Sequence, residues 1–272
     1  MFFRRLSGFS SKNQMNLFRF LLIGLCCLSL PFTSCRKNNQ KINEINVYAA
    51  SSLTEAFQKM KVVFEALYPG STVRLTFAGS QVLRLQIQQG ASADIFVSAN
   101  QAHVKALSKA GRVKKSQIFA KNDLVLITPL QNPSKLRSFG DLLKAKRLVI
   151  GSEQVPIGLY TRKLLEKVES TGSKDFAKRA LHQVVSKEKN VRLVRAKVEL
   201  GEADAAIVYK TDALASKRVK RFIIPKKWAV SAFYSIGLLK SGQKQPLAQK
   251  WFNFLVSSKG RSILSSFGFV VP

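Results

Sequence analysis

Two serines stand where they could bind a charge without carrying one. Ser52 follows Asn46-Val47-Tyr48-Ala49-Ala50-Ser51, and Ser80 follows Leu75-Thr76-Phe77-Ala78-Gly79. Each comes just after a run with strand character and at the start of a run with helical spacing. A helix start presents backbone N–H groups that lack intrahelical acceptors, and it carries the positive end of the helix dipole. A hydroxyl beside those groups adds one neutral donor. Two such corners facing one cleft would make a charge-free cage for a small anion. Taken singly, either serine is more often a helix cap, worth about 1 kcal/mol.

The elements that must position these corners follow from periodicity. Ile45 to Ala49 reads as a buried strand, and Leu53, Ala56, Phe57, Met60, Val63, Phe64 and Leu67 fall at helical spacing up to Tyr68. Ser52 with Glu55 matches the capping box S-x-x-E, and Pro69-Gly70 ends the helix. A strand over 72–77 precedes a helix over 81–88 that turns Val82, Leu85 and Leu83 inward, then a strand over 93–97 and a helix over 101–110. This β-α-β-α-β-α order predicts a parallel sheet with helices on both faces, and ligands of such sheets sit at the C-terminal strand ends. Ser52 and Ser80 both fall there.

A second α/β unit is expected from residue 122. It has strands over 123–129, 147–151, 205–209 and 219–224, and helices over 138–143, 157–168 and 191–200. A strand over 231–239 and one amphipathic helix over 247–264, with Trp251, Phe254 and Leu255 inward, would return to the first unit. The expected organisation is therefore 43–121 plus 231–272 as one domain and 122–230 as the other, with the chain crossing twice and a cleft between them. This is the two-domain α/β plan of type II periplasmic-binding-protein-like folds, with parallel-core sheets.

Residues 1–35 read as a targeting segment. Arg4, Arg5, Lys12 and Arg19 precede the apolar run from Phe20 to Phe32, which is short for a membrane span. It ends in Phe32-Thr33-Ser34-Cys35, which resembles a bacterial lipobox, so Cys35 is the expected lipid-attachment site and 36–42 a polar tether. The three cysteines are Cys26, Cys27 and Cys35, which leaves the body without a disulfide or a thiol nucleophile.

The chain has 272 residues, 45 Lys and Arg against 15 Asp and Glu, and a formal charge of +30. Such a charge suits an anionic partner, but the basic residues are scattered and no zinc-finger, RRM or bZIP pattern accompanies them. A basic surface that reflects overall composition is the simpler account, and no nucleic-acid partner is expected. A serine hydrolase would need a base and an orienting acid. The chain has only His103 and His182, and no G-x-S-x-G elbow. Asp94 and Asp204, each just before a strand, read as structural caps or interdomain bonds, and Lys210 as a solvated side chain.

In order along the chain, Val47-Tyr48-Ala49-Ala50-Ser51-Ser52-Leu53, Phe77-Ala78-Gly79-Ser80, Ala93-Asp94-Ile95-Phe96-Val97-Ser98-Ala99, Val155-Pro156-Ile157-Gly158-Leu159-Tyr160, Gly201-Glu202-Ala203-Asp204-Ala205-Ala206-Ile207-Val208-Tyr209 and Phe267-Gly268-Phe269 resemble the periplasmic molybdate-binding proteins of ABC transporters. The resemblance spans about 42–272. It implies a tetrahedral oxyanion held by neutral donors: hydroxyl and backbone N–H at Ser52 and Ser80, backbone N–H at Ile157 and Val191, and the phenol of Tyr209. Molybdenum would be held through its oxygens, with no direct protein–metal bond. The resemblance implies molybdate or tungstate as ligand, no cofactor, a permease partner, a cell-envelope location with a lipid anchor on Cys35, a monomer and no enzymatic activity. Two positions depart from the family pattern. Ile157 stands where Ala is common, and Gly79 where Ser is common, which would loosen that corner. A receptor of the same fold for sulfate, phosphate or a carboxylate is the alternative, although no arginine clamp for a carboxylate is evident. A binder driven by charge alone would differ from both in steep salt dependence.

Overall fold

One long strand organises the fold. The computed structural model describes residues 43–272, and in it β4 (Val113–Pro129) runs through two sets of partners. Its first part, Val113 to Asp123, pairs antiparallel with β9 (Ser231–Leu239). Its second part pairs antiparallel with β7 (Ala205–Tyr209) from Leu124 and with β8 (Val219–Ile223) from Val125.

On the β9 side lie β1 (Asn43–Ala50), β2 (Ser71–Ala78) and β3 (Ile95–Ser98). β1 pairs parallel with both of the others, and β3 pairs antiparallel with β9. On the β7 side, β5 (Leu148–Gly151) pairs parallel with β7 and with β6 (Val184–Glu188). The order across the sheet is β2-β1-β3-β9-β4-β7-β5-β6, with β8 on β4. β4 leaves the first half in the direction in which β1, β2 and β3 end. At Leu124 it meets Tyr209, the last residue of β7. The C-terminal ends of the two parallel groups therefore face each other across the 123–124 junction.

Helices α1 (Thr54–Leu67), α2 (Ser80–Gln88) and α3 (Gln101–Lys109) connect the first half. Helices α4 (Pro156–Ser170), α5 (Phe176–His182), α6 (Val191–Glu199) and α7 (Lys210–Leu214) serve the second, with a 3₁₀ turn at Phe139–Lys144. The chain closes with α8 (Lys240–Gln243), α9 (Pro246–Val256) and α10 (Ser258–Ser266). No helix among the described residues is long and apolar enough to cross a membrane. The expected leader, the Cys35 attachment site and the tether lie outside the described residues.

Several expectations need correction. The strand expected over 123–129 is the end of one that begins at Val113. Its first stretch, Val-Lys-Lys-Ser-Gln, is mostly exposed and lacks apolar alternation, so it gave no signal. The single helix expected over 247–264 is two, because Ser257 turns extended (ψ 166°) and its hydroxyl accepts from Gly260 N at 3.3 Å. Helices α5, α7 and α8 and strand β6 had no periodicity long enough to show. In α2 the buried face is Ser80, Leu83 and Ile87 (i, i+3, i+7), while Leu85 is exposed and Val82 half-buried. In α1, Leu67 is exposed.

The first half is anchored by Trp251, fully buried, with its ring centroid 5.0 Å from that of Phe64, 5.9 Å from Phe57 and 6.1 Å from Phe254. These rings join α1 to α9 over the sheet. Replacing Trp251 with Ala is expected to lower unfolding free energy by about 3–5 kcal/mol. Replacement with Phe should lower it less. Urea denaturation read by circular dichroism checks both.

Candidate functional site

Three α-helix starts, one 3₁₀ turn and two strand ends meet at a single cavity of about 200 Å3, its opening included. Ser51 and Ser52 come from the turn after β1, Gly79 and Ser80 from the turn after β2, and Ala99 from the end of β3. Val155, Pro156 and Ile157 come from the start of α4, Asn190 and Val191 from the start of α6, and Tyr209 from the end of β7. The structure thus brings Ser52, Ser80, Ile157, Val191 and Tyr209 together.

Each donor has a local cause. A 3₁₀ turn over Ser51–Leu53 separates β1 from α1, so Leu53 and not Ser52 is the helix N-cap. The expected capping box with Glu55 is therefore not formed. Ser52 Oγ instead lies 2.7 Å from Tyr234 Oη. Ser80 is the first residue of α2, and its Oγ accepts from Ala99 N at 3.1 Å. With that lone pair engaged, its proton is left for another acceptor.

At α4, Pro156 occupies the first position and has no N–H, so Ile157 and Gly158 supply the first N–H groups without intrahelical acceptors. Gly158 is required there, because a Cβ would sit 2.1 Å from Ser152 O. At α6, Asn190 Oδ1 accepts from Leu193 N at 3.1 Å, which leaves the N–H groups of Val191 and Arg192 without a helical acceptor. Tyr209 is 1% exposed, and its Oη has no hydrogen-bond partner among the described residues. An unpaired buried hydroxyl costs about 1–3 kcal/mol, which a bound acceptor would relieve. Burial, with Tyr234, Tyr160 and Asp212 nearby, raises its pKa well above 10, so it remains a donor.

No charged side chain lines the cavity. The N-termini of α2, α4 and α6, each equivalent to roughly +0.5 charge, present a field suited to a dianion, and the 3₁₀ turn after β1 adds its own N–H groups. Just outside, Arg192 Nη1 pairs with Glu55 Oε1 at 2.6 Å and neutralises the carboxylate in the first turn of α1. Gln81 Nε2 donates to Lys189 O at 2.7 Å. Gly79 sits at a close approach of the two halves. A Cβ there would lie 2.4 Å from Lys189 O, so glycine lets α2 approach the turn before α6.

The other singled-out residues lie elsewhere. Asp94 accepts from Asn46 N at 2.8 Å, tying β3 to β1. Asp204 accepts from Lys146 N and Arg147 N, each at 3.0 Å, and from the Arg147 guanidinium. Both are structural, and each stays within its own half of the sheet. Lys210 follows Tyr209 but does not line the cavity, nor do His103 and His182. Among the described residues no group of three or more His, Cys, Asp or Glu could hold a metal. Sequence reasoning missed Asn190, whose signal was an Asn just before the periodic run of α6. It also missed Tyr234, whose bond to Ser52 spans 182 positions and left no local signal.

Parallel strand groups that end face to face over a small cage of neutral donors define an α/β solute-binding protein. The chain belongs to the bacterial extracellular solute-binding protein family, whose model matches residues 45–270. It is 35% identical over 258 residues to the molybdate-binding protein ModA of Mycobacterium tuberculosis, covering 93% of this chain and 95% of that one. Among solved structures it resembles the substrate-binding domain of a molybdenum ABC transporter from Clostridium difficile (TM-score 0.64, 28% identity, 84% of this chain and 99% of that one). It shares its fold with the sulfate-binding protein SubI of M. tuberculosis (TM-score 0.75, 18% identity, 83% and 86%).

Two expected outcomes follow from this geometry. Gly79→Ala should push Lys189 away and separate the two sides of the cavity. Ligand affinity should fall about tenfold or more while the unfolding midpoint stays near wild type, as titration and thermal melting would show. The second concerns pH. Burial pushes the Asp212 carboxyl up to about 7, with Arg195 opposing and Glu55 adding. Its contribution to stability is complete below 3.8, the ordinary value, and is lost as pH rises through about 7. Burial and the Arg84 charge push His103 down to about 4, so its contribution is complete above 6.5 and is lost as pH falls through about 4. The two slopes oppose each other between these limits. Asp212→Asn should leave the His103 slope alone, giving a steeper loss of stability on acidification in denaturant midpoints measured across that range.

Proposed function

We propose that the protein captures molybdate, and tungstate nearly as well, in the cavity and delivers it to the permease of an ABC transporter. Two lobes, 43–121 with 231–272 and 122–230, close on the ion by bending at the two crossings. Because Ser52 and Ser80 belong to the first lobe and Ile157, Val191 and Tyr209 to the second, the ion stabilises the closed form by contacts absent from the open one. The protein binds and releases and performs no chemistry on its ligand. It works as a monomer outside the cytoplasm, held to a membrane by a lipid on Cys35.

The observation that carries this reading is a small cavity lined by Ser52, Ser80, Ile157, Val191 and Tyr209 and by no charged side chain, with the Tyr209 hydroxyl unpartnered. A relative 35% identical over nearly the whole chain is named for molybdate binding. Fixed dipoles can hold a dianion in a dry site, and a cage of donors alone offers no acceptor for the proton of a protonated phosphate. A cage sized for the larger ions leaves the bonds to sulfate long. The shared fold with a sulfate-binding protein makes sulfate the ion to test against.

Calorimetric titration of the mature chain with molybdate, tungstate, sulfate and phosphate at two salt concentrations tests the proposal. Tight one-to-one binding of the first two, little changed by salt, is expected. Replacing Ser52 and Ser80 together with Ala should weaken it by orders of magnitude without loss of fold. Tight binding of sulfate alone would reassign the ligand. Weak binding of all four that vanishes with salt, or a double variant with unchanged affinity, would overturn the site.

A further inference from the structure

We propose that Tyr234 and Asn122 are positioning residues that turn the Ser52 hydroxyl into a one-way donor toward the cavity and tie it to the turn that carries Tyr209. The proposal rests on the function given above, and concerns how one donor of that site is directed.

The hydrogen bonds form a continuous buried chain. Asn122 Nδ2 donates to Thr211 Oγ1 at 2.8 Å and to Tyr234 Oη at 3.4 Å. Tyr234 Oη lies 2.7 Å from Ser52 Oγ. Asn122 and Tyr234 are fully buried and Ser52 is 5% exposed, so bulk water does not compete for these bonds. An amide nitrogen can only donate, so the Tyr234 oxygen accepts from Asn122. The Tyr234 proton is then free to go to Ser52 Oγ. Burial holds that phenol protonated, with its pKa well above the ordinary 10. A serine oxygen that accepts from Tyr234 has its own proton left over, and the cavity is where an acceptor would sit.

Ser80 is set in the same way, by Ala99 N. The difference is that its donor is a backbone N–H of the same half, just after β3, whereas the Ser52 chain reaches Thr211 in the second half. Asn122 sits on β4 two residues before Leu124, where the strand changes partner, and Thr211 is two residues beyond Tyr209. The donor from the first half and the turn bearing the phenol of the second are therefore linked through one amide. Direction matters for selectivity. A hydroxyl that can only donate serves a fully deprotonated oxyanion. A hydroxyl free to rotate can accept from a protonated one.

The experiment is a double-mutant cycle of Tyr234→Phe and Ser52→Ala, titrated with molybdate, sulfate and phosphate. In Tyr234→Phe the molybdate affinity should fall about tenfold, the worth of one buried hydrogen bond. Phosphate should lose less, or gain, so that the molybdate-to-phosphate ratio narrows. In the Ser52→Ala background, Tyr234→Phe should change nothing further. Asn122→Ala, which keeps the phenol but removes its donor, should narrow the ratio as well, and it serves if the first variant folds poorly. Equal losses for all anions, or a Tyr234 effect that persists without the Ser52 hydroxyl, would overturn the relay while leaving the binding function standing. If the wild-type chain binds sulfate in place of molybdate, the ligand assignment fails and the same cycle run with sulfate still decides the relay. A wild-type chain that binds none of the three overturns both.

Discussion

A small anion taken out of water must recover the hydration it gives up, and the cavity proposed to hold it has no charged side chain to supply it. The polar part of the lining is hydroxyl, phenol, the 3₁₀ turn after β1 and the starts of α2, α4 and α6. Such a site depends on placement more than on charge. A lysine can follow a shifting ligand, but a backbone N–H points only where its helix points. Every donor must therefore be held by the element behind it, and much of the architecture can be understood as the means of aiming those elements.

The strand order supplies the aim. Because β4 leaves one parallel group and enters alongside the other, and pairs antiparallel with β7, both groups end at the same place. Helices that follow those strands begin there too. Local features then trim the approach. Pro156 starts α4 without an N–H, Gly158 lets that start lie on Ser152 and Gly151, and Gly79 lets Lys189 come close. The Glu55–Arg192 pair keeps a carboxylate near the cavity from presenting bare charge to an anion. The remaining strong charge, +30 over the chain, stays away from the lining and suits encounter more than selection.

Much of this was legible from local pattern. The strand–helix alternation points to a two-part α/β protein and the two corners to Ser52 and Ser80, whereas Ile157, Val191 and the ligand role of Tyr209 came only with the family resemblance that the six ordered motifs carry. What escaped was non-local or lacked periodicity. Ser52 and Glu55 have the spacing of a capping box, yet a 3₁₀ turn displaces the helix start, and each side chain finds a distant partner, Tyr234 and Arg192. The first part of β4 is exposed and lysine-rich, so no apolar alternation marks it as a strand. The break at Ser257 shows only as a shift of apolar phase: Trp251, Phe254 and Leu255 share one side of α9, while Ile263 and Leu264 would fall on the opposite side of a continuous helix. Tyr234 and Asn122 sit inside apolar strands, where a sequence shows side chains alternating but not the bonds that their polar ends make.

The most direct test of a cage built without cations is to see the ion in it. Crystals grown with molybdate and measured at the molybdenum absorption edge would locate the metal by its anomalous signal. One site is expected, in the cavity, with the oxyanion oxygens within hydrogen-bond distance of Ser52 Oγ, Ser80 Oγ, Ile157 N, Val191 N and Tyr209 Oη, and no lysine or arginine side chain in contact. Molybdenum bound elsewhere against basic side chains, or coordinated directly by protein atoms, would contradict it.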